Sequence, residues 1–130
     1  MIRQQVRSRA QGRCEYCHLP DIYSLVPFHV AHIIPVKRHH GSTELDNLAW
    51  ACPHCNRSKQ ADVGAFDSQT NLLTPLYNPR LEDWSDHFSM DELGHIIALT
   101  AVGRVTIRLL DMNDPLAVQT RQTLIELKLW

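Results

Sequence analysis

No stretch of the 130 residues approaches the ~18 consecutive apolar positions that a membrane span needs. No secretory signal opens the chain either, since Met1-Ile2-Arg3-Gln4-Gln5-Val6-Arg7 has no apolar segment. The expected setting is therefore the cytoplasm. Internal repeats and low-complexity tracts are missing, which sets repeat architectures aside. Neither sign of charge dominates: 13 Lys and Arg against 14 Asp and Glu leave −1, so composition alone does not announce a nucleic-acid partner. What remains, 44% hydrophobic and 21% charged residues, is ordinary for a globular chain of one domain, 1–130. Its core must be small, and a metal staple would add stability to it.

Cysteine is present in an informative arrangement. Cys14-Glu15-Tyr16-Cys17 and Cys52-Pro53-His54-Cys55 are two CxxC pairs with 34 residues between them. Each CxxC turn aims two thiolates at one point, and two such turns complete a tetrahedral four-thiolate shell for zinc. Two redox or disulfide CxxC pairs are the competing reading. His54, inside the second pair, is a weaker ligand candidate than Cys52 and Cys55. Charge is uneven along the chain. Residues 1–60 hold eight Lys/Arg against four Asp/Glu, a balance of +4, while residues 61–130 hold five against ten, a balance of −5. The cationic half is the half with the cysteines, although a zinc–tetrathiolate centre itself carries a formal charge of about −2.

The hydrophobic pattern predicts a helix over 2–11 with Arg3, Arg7 and Arg9 exposed, ended by Gly12. Phe28 to Ile34 reads as a strand closed by Pro35, Val36 to Leu45 as an exposed loop, and Asp46 to Ala51 as a second strand. A helix is predicted from Asn56 to Val63, where Asn56 alone would read as an N-cap. Residues 71–89 read as irregular wrapping with Tyr77, Trp84 and Phe88 in the core. His95 to Thr100 reads as a strand, Gly103 as a turn, and 104–112 and 116–129 as helices. Asp114 followed by Pro115 is a natural cap for the last helix, whose expected inward stripe is Leu116, Thr120, Thr123, Leu124 and Leu127.

Between and just after the two cysteine pairs stand His32, Asn47 and Asn56. The stretch CEYC…HVAHIIP…DNLAWACPHCNRSK resembles the HNH endonuclease family in its four-cysteine version. The tail LYNPRLEDWSDHF and GRVTIRLLDMN is similar to the accessory region of small bacterial HNH proteins. The resemblance implies an α+β fold: a ββα-metal (His-Me finger) core over 14–63, stapled by the four-cysteine zinc site. Residues 64–130 would be an accessory wrap with a strand and C-terminal helices.

In that family the residue matched by His32 is the general base, taking a proton from attacking water; imidazole titrates near neutral pH and suits the task. Asn47 matches the amide that braces the loop holding the base. Asn56 matches a ligand of the catalytic divalent ion, and its amide oxygen suits Mg²⁺ or Mn²⁺. The resemblance implies hydrolysis of a DNA phosphodiester to 5′-phosphate and 3′-hydroxyl ends. The departure is Ala31, which stands where the family usually carries a metal-ligating Asp, Glu or His. Three explanations stand side by side: deliberate disabling, natural degeneration to a binder, and substitution by His29 or His39, the last the least favoured because His29 is two residues back along the strand.

Lys37 and Arg38, with His39 and His40, lie between base and brace, and Arg57 and Lys59 follow Asn56; these are the candidate phosphate contacts. No base-reading motif stands out, so the expected partner is double-stranded DNA bound with little sequence preference. A metal-dependent endonuclease or nickase leads. A catalytically silent zinc-stabilised DNA-binding module is second, and an interaction domain using zinc only to fold is third.

Overall fold

A computed structural model describes residues 1–130. Helix α1 (Ile2–Arg9) buries Val6 and packs on strand β2 (Leu48–Ala51). Its three arginines are tied down rather than free. The Arg3 guanidinium lies 4.6 Å over the Trp50 ring, Arg7 forms a two-bond pair with Asp21, and Arg9 donates to the carbonyls of Leu45 and Leu48. The chain turns at Gly12 (φ +70°), a left-handed conformation that glycine adopts without strain.

Strand β1 (His29–His32) pairs antiparallel with β2, His32 opposite Leu48 and Ala31 opposite Ala49. All four residues of β2 are buried, so its apolar run without alternation reflects cover on both faces. The segment expected to be a bare loop contains a short helix, α2 (Val36–His39), and a 3₁₀ turn at Leu45–Asn47. Helix α3 (Pro53–Lys59) starts three residues earlier than predicted. Cys52 is its N-cap, with Sγ accepting from the Cys55 amide, and Pro53 occupies the first helical position; Asn56 lies within the helix and is not its cap.

Beyond α3 the chain forms two further antiparallel hairpins and three helices. Strand β3 (Gly64–Phe66) pairs with β4 (Leu73–Pro75). After helix α4 (Trp84–His87), strand β5 (Phe88–Met90) pairs with β6 (Ile96–Ala98). The span expected to be irregular thus carries β4, α4 and β5, while Tyr77 and Phe88 are buried and Trp84 packs beside them. Helix α5 (Ala101–Leu109) runs through Gly103, which makes no turn. The glycine is needed for close approach: a Cβ there would stand 2.3 Å from the His87 carbonyl.

Helix α6 (Pro115–Glu126) is capped by Asp114 as expected. Its inward face is another one, however. Leu116 and Leu127 are largely exposed, whereas Arg121 and Leu124 are buried. Of the expected stripe only Leu124 is buried, while Leu116, Thr120, Thr123 and Leu127 are exposed and Arg121, outside that stripe, is buried. One cluster of twenty buried residues, from Val6 through the cysteines and β2 to Tyr77, Val105 and Met112, joins the cysteine-bearing segment to the later elements.

Candidate active site and metal centre

The two CxxC turns meet. Cys14, Cys17, Cys52 and Cys55 are buried and unbridged, with their sulfurs all within 4.8 Å of one another. The Cys17 and Cys52 sulfurs are 3.7 Å apart. A tetrahedron of Zn–S bonds near 2.3 Å requires sulfurs about 3.8 Å apart, so the spacing fits such an ion. Backbone amides of Cys17 and Cys55 point at the sulfurs of Cys14 and Cys52, the arrangement of a metal knuckle. Burial opposes ionisation of Cys14, but hydrogen bonds from Cys17, Cys52 and Cys55 outweigh it and hold this thiol well below its ordinary range. Hydrogen bonding to Cys14 in turn pushes Cys17 and Cys55 well up. One thiolate forms easily and each further one meets like charge, which a dication relieves. These four residues could hold a metal such as zinc.

The first knuckle also anchors β2. The Glu15 carboxylate accepts from the Trp50 amide and the Glu15 amide donates to the Trp50 carbonyl, both at 2.8 Å. Arg80 pairs with Glu15 and donates to the Leu48 carbonyl. Sequence reasoning did not assign Glu15 or Arg80 a role, although both lie in the stretches that carried the resemblance. Their pairing across 65 residues leaves no local pattern to read.

His32 ends β1, half-buried, directly before the turn. Asn47, 8% exposed, directly precedes Leu48, the residue paired with His32. Its side chain holds the connecting loop at three points: Oδ1 accepts from the Ile34 amide, and Nδ2 donates to the carbonyls of Ile34 and Ser42. The main chain adds Ile33 N–H to the Asn47 carbonyl. Gly41 completes this fit, since a Cβ there would lie 1.8 Å from the Ile34 oxygen.

Asn56 is partly exposed on α3, one helical turn before Lys59. Lys59 is 3% exposed and its Nζ lies 3.5 Å from the His32 carbonyl. Burial lowers its pKa, with Asp62 opposing. This ammonium therefore faces β1 rather than the surface position expected of a phosphate contact. Because positions three apart share a helix face, Asn56 and Lys59 are directed to the same side of α3.

Ala31 is 9% exposed and belongs to the apolar cluster. His29 and His39 are exposed and join no ligand cluster; the four cysteines are the sole group of three or more His, Cys, Asp or Glu placed to hold a metal. Of Ala31 and Asn56, the positions that the resemblance matches to ligands of a catalytic ion, only Asn56 offers a donor, a neutral amide, which does not make a complete site. Lys37 and Arg38 are exposed on α2. Arg57 is exposed and lines a cavity of about 290 Å³ with Cys17, Cys52 and residues of α6.

Residues 14–62 match the HNH endonuclease family model. Comparison with curated proteins and with solved structures gives no match. No helix is long and apolar enough to cross a membrane.

Proposed function

We propose, from the premise that residues 14–62 form an HNH endonuclease domain, that this chain grips DNA and hydrolyses its phosphodiester backbone, as an endonuclease or nickase built on a ββα-metal core. The observation that carries the reading is the three-point hold of Asn47 on the loop that follows His32. A base that must meet one scissile phosphate needs a rigid mount, and a buried amide that both donates and accepts supplies one.

In this reading zinc occupies the four thiols and fixes the knuckles against β2 and α3. His32 takes a proton onto its ring from the water that attacks phosphorus, a contribution of roughly 10²–10⁴ in rate. Lys37, Arg38 and Arg57 meet phosphates, with binding that weakens steeply as salt rises. The donor set for a catalytic Mg²⁺ or Mn²⁺ at Ala31 and Asn56 is incomplete, since only the amide of Asn56 can contribute an oxygen.

That same incompleteness favours a second reading, a DNA-binding module that retains the HNH frame without cleavage. The buried, apolar Ala31 is the observation behind it. Supercoiled plasmid incubated with the zinc-loaded protein and Mg²⁺ or Mn²⁺ separates the two. The endonuclease reading expects nicking that His32→Ala lowers at least about a hundredfold. A mobility shift that weakens with salt, without nicking in either metal, sinks the first reading in favour of the second. Absence of both rejects nucleic acid as the partner.

A further inference from the structure

Arg121 is 2% exposed, the largest fully buried side chain of the protein, yet no carboxylate lies within ion-pair distance of it. Its hydrogen bonds go to neutral acceptors only. Nε donates to the Gly94 carbonyl at 2.6 Å, and Nη2 donates to the Met112 carbonyl at 2.6 Å and to Asn113 Oδ1 at 3.1 Å. Arginine keeps its charge under these conditions, so a buried guanidinium needs an anion somewhere near.

The fold brings Arg121 and the thiol cluster to one cavity. Arg121 lines the same cavity of about 290 Å³ as Cys17 and Cys52. Burial lowers the Arg121 pKa, and the charges of Cys17, Cys55 and Cys52 oppose that shift, ahead of Asp91. Two carboxylates of this region have other partners: Asp91 accepts from the Leu93 and His95 amides, and Asp114, which lines the same cavity, caps α6. Zinc bound by four thiolates carries a formal charge of about −2, which calls for a cation in its surroundings.

We infer that Arg121 is the counter-charge of the zinc–thiolate centre, so that metal loading and docking of the C-terminal helix α6 are coupled. The coupling joins residues 14–62 to a helix outside the family match, and adds a charge contribution to the docking that burial of Leu124 supplies. Leu116 and Leu127 remain exposed on the helix, while its buried positions are Arg121 and Leu124. The inference rests on zinc occupying the four thiols and is independent of nuclease activity.

The test uses the full chain refolded with zinc, as wild type, Arg121→Met and Arg121→Lys. Zinc content is measured by emission spectrometry, zinc affinity by competition with a chromogenic chelator, and amide exchange across 115–126 before and after chelation. Arg121→Met is expected to weaken zinc binding at least about tenfold, with Arg121→Lys recovering most of the loss. Chelation of the wild type is expected to release protection of 115–126 together with that of the knuckles. A folded Arg121→Met that binds zinc as tightly as wild type overturns the inference, as does protection of 115–126 that survives zinc removal. If Arg121→Met fails to fold, the wild-type exchange result decides alone. A wild type that takes up no zinc overturns the zinc reading as well, whereas a loaded wild type with indifferent variants overturns only the Arg121 assignment.

Discussion

Asn47 grips Ile34 by both of its main-chain groups: Oδ1 accepts from the Ile34 amide and Nδ2 donates to the Ile34 carbonyl, each at 2.9 Å. The same Nδ2 reaches the Ser42 carbonyl at 2.7 Å, so one side chain closes the whole excursion between β1 and β2. Asn47→Ala removes all three bonds at a buried position and is expected to cost about 1–3 kcal/mol. Chemical denaturation would read the loss, and amide exchange should rise selectively over residues 34–42. Gly41→Ala should loosen the same loop by collision with the Ile34 oxygen. Unchanged exchange in Asn47→Ala would show that the loop does not depend on this brace.

Cys14→Ser removes one of four converging sulfurs and exchanges a thiolate for a poor zinc ligand. The protein should lose zinc and much of its cooperative unfolding transition, because metal affinity here contributes directly to folding. Zinc content and a thermal melt, each with and without a chelator, check this. Equal melting of variant and wild type, unaffected by chelation, would leave the knuckles without a structural metal.

Ala31→Glu supplies an oxygen donor at the position that the proposed function matches to a metal ligand. Plasmid nicking in Mn²⁺ is expected to rise by about tenfold or more, the scale typical of a repaired metal shell. Ala31 sits in the apolar cluster opposite Ala49, so the longer side chain must find its way toward the cleft, and some loss of melting temperature is expected with the gain. A well-folded variant with no gain in either Mg²⁺ or Mn²⁺ would place the cleft elsewhere.

Asp67, 1% exposed, accepts two bonds from Arg104 at 2.8 and 2.9 Å and one from the Thr70 amide. Hydrogen bonding to Arg104, opposed by burial and reinforced by Thr70, holds its carboxyl well below the ordinary range. A depressed folded-state pKa gives stability that is present above the unfolded carboxyl value, near 4, and is lost as pH falls through the folded value. Asp67→Asn should therefore be less stable than wild type at pH 6, and the gap should close as the solution is taken below about pH 4. Denaturation midpoints across that range provide the check; a gap that does not vary with pH would mean the charge contributes nothing.

Tyr16 is buried in the first knuckle with a hydroxyl that has no partner. Burial, then the neighbouring Cys14 and Cys55 charges, raises its pKa and keeps the phenol neutral. Replacing an unpartnered buried hydroxyl by hydrogen removes a desolvation cost, so Tyr16→Phe should melt at the same temperature or higher. A clear drop would reveal a partner for the hydroxyl.

The local features were legible because their causes are local. CxxC spacing dictates that two sulfurs converge, Asp114-Pro115 dictates a helix start, and β-branched residues around His32 dictate a strand; all three appear in the structure. Other expectations failed where a distant group decides. The usual preference of glycine points to a turn at Gly103, but the His87 carbonyl leaves no room for a side chain, and the glycine serves the packing of a helix. The sequence makes Lys59 a candidate phosphate contact, yet α3 turns it toward the His32 carbonyl. Helical periodicity puts Leu116, Thr120, Thr123, Leu124 and Leu127 on the inward face of α6, and it has no means of recognising a buried arginine.

The amino-acid sequence alone carries the match of residues 14–62 to the HNH endonuclease family model and the spacing of the four sulfurs that converge there, since identity and spacing are properties of the chain itself. Tertiary structure decides what those groups face. Only folding sets Glu15 against Arg80, buries Ala31 without a second ligand, and brings Arg121 to the cavity beside Cys17 and Cys52. The physical reason is that charge balance and metal coordination act through space over a few ångströms, whereas the residues concerned are separated by up to 104 positions in the chain.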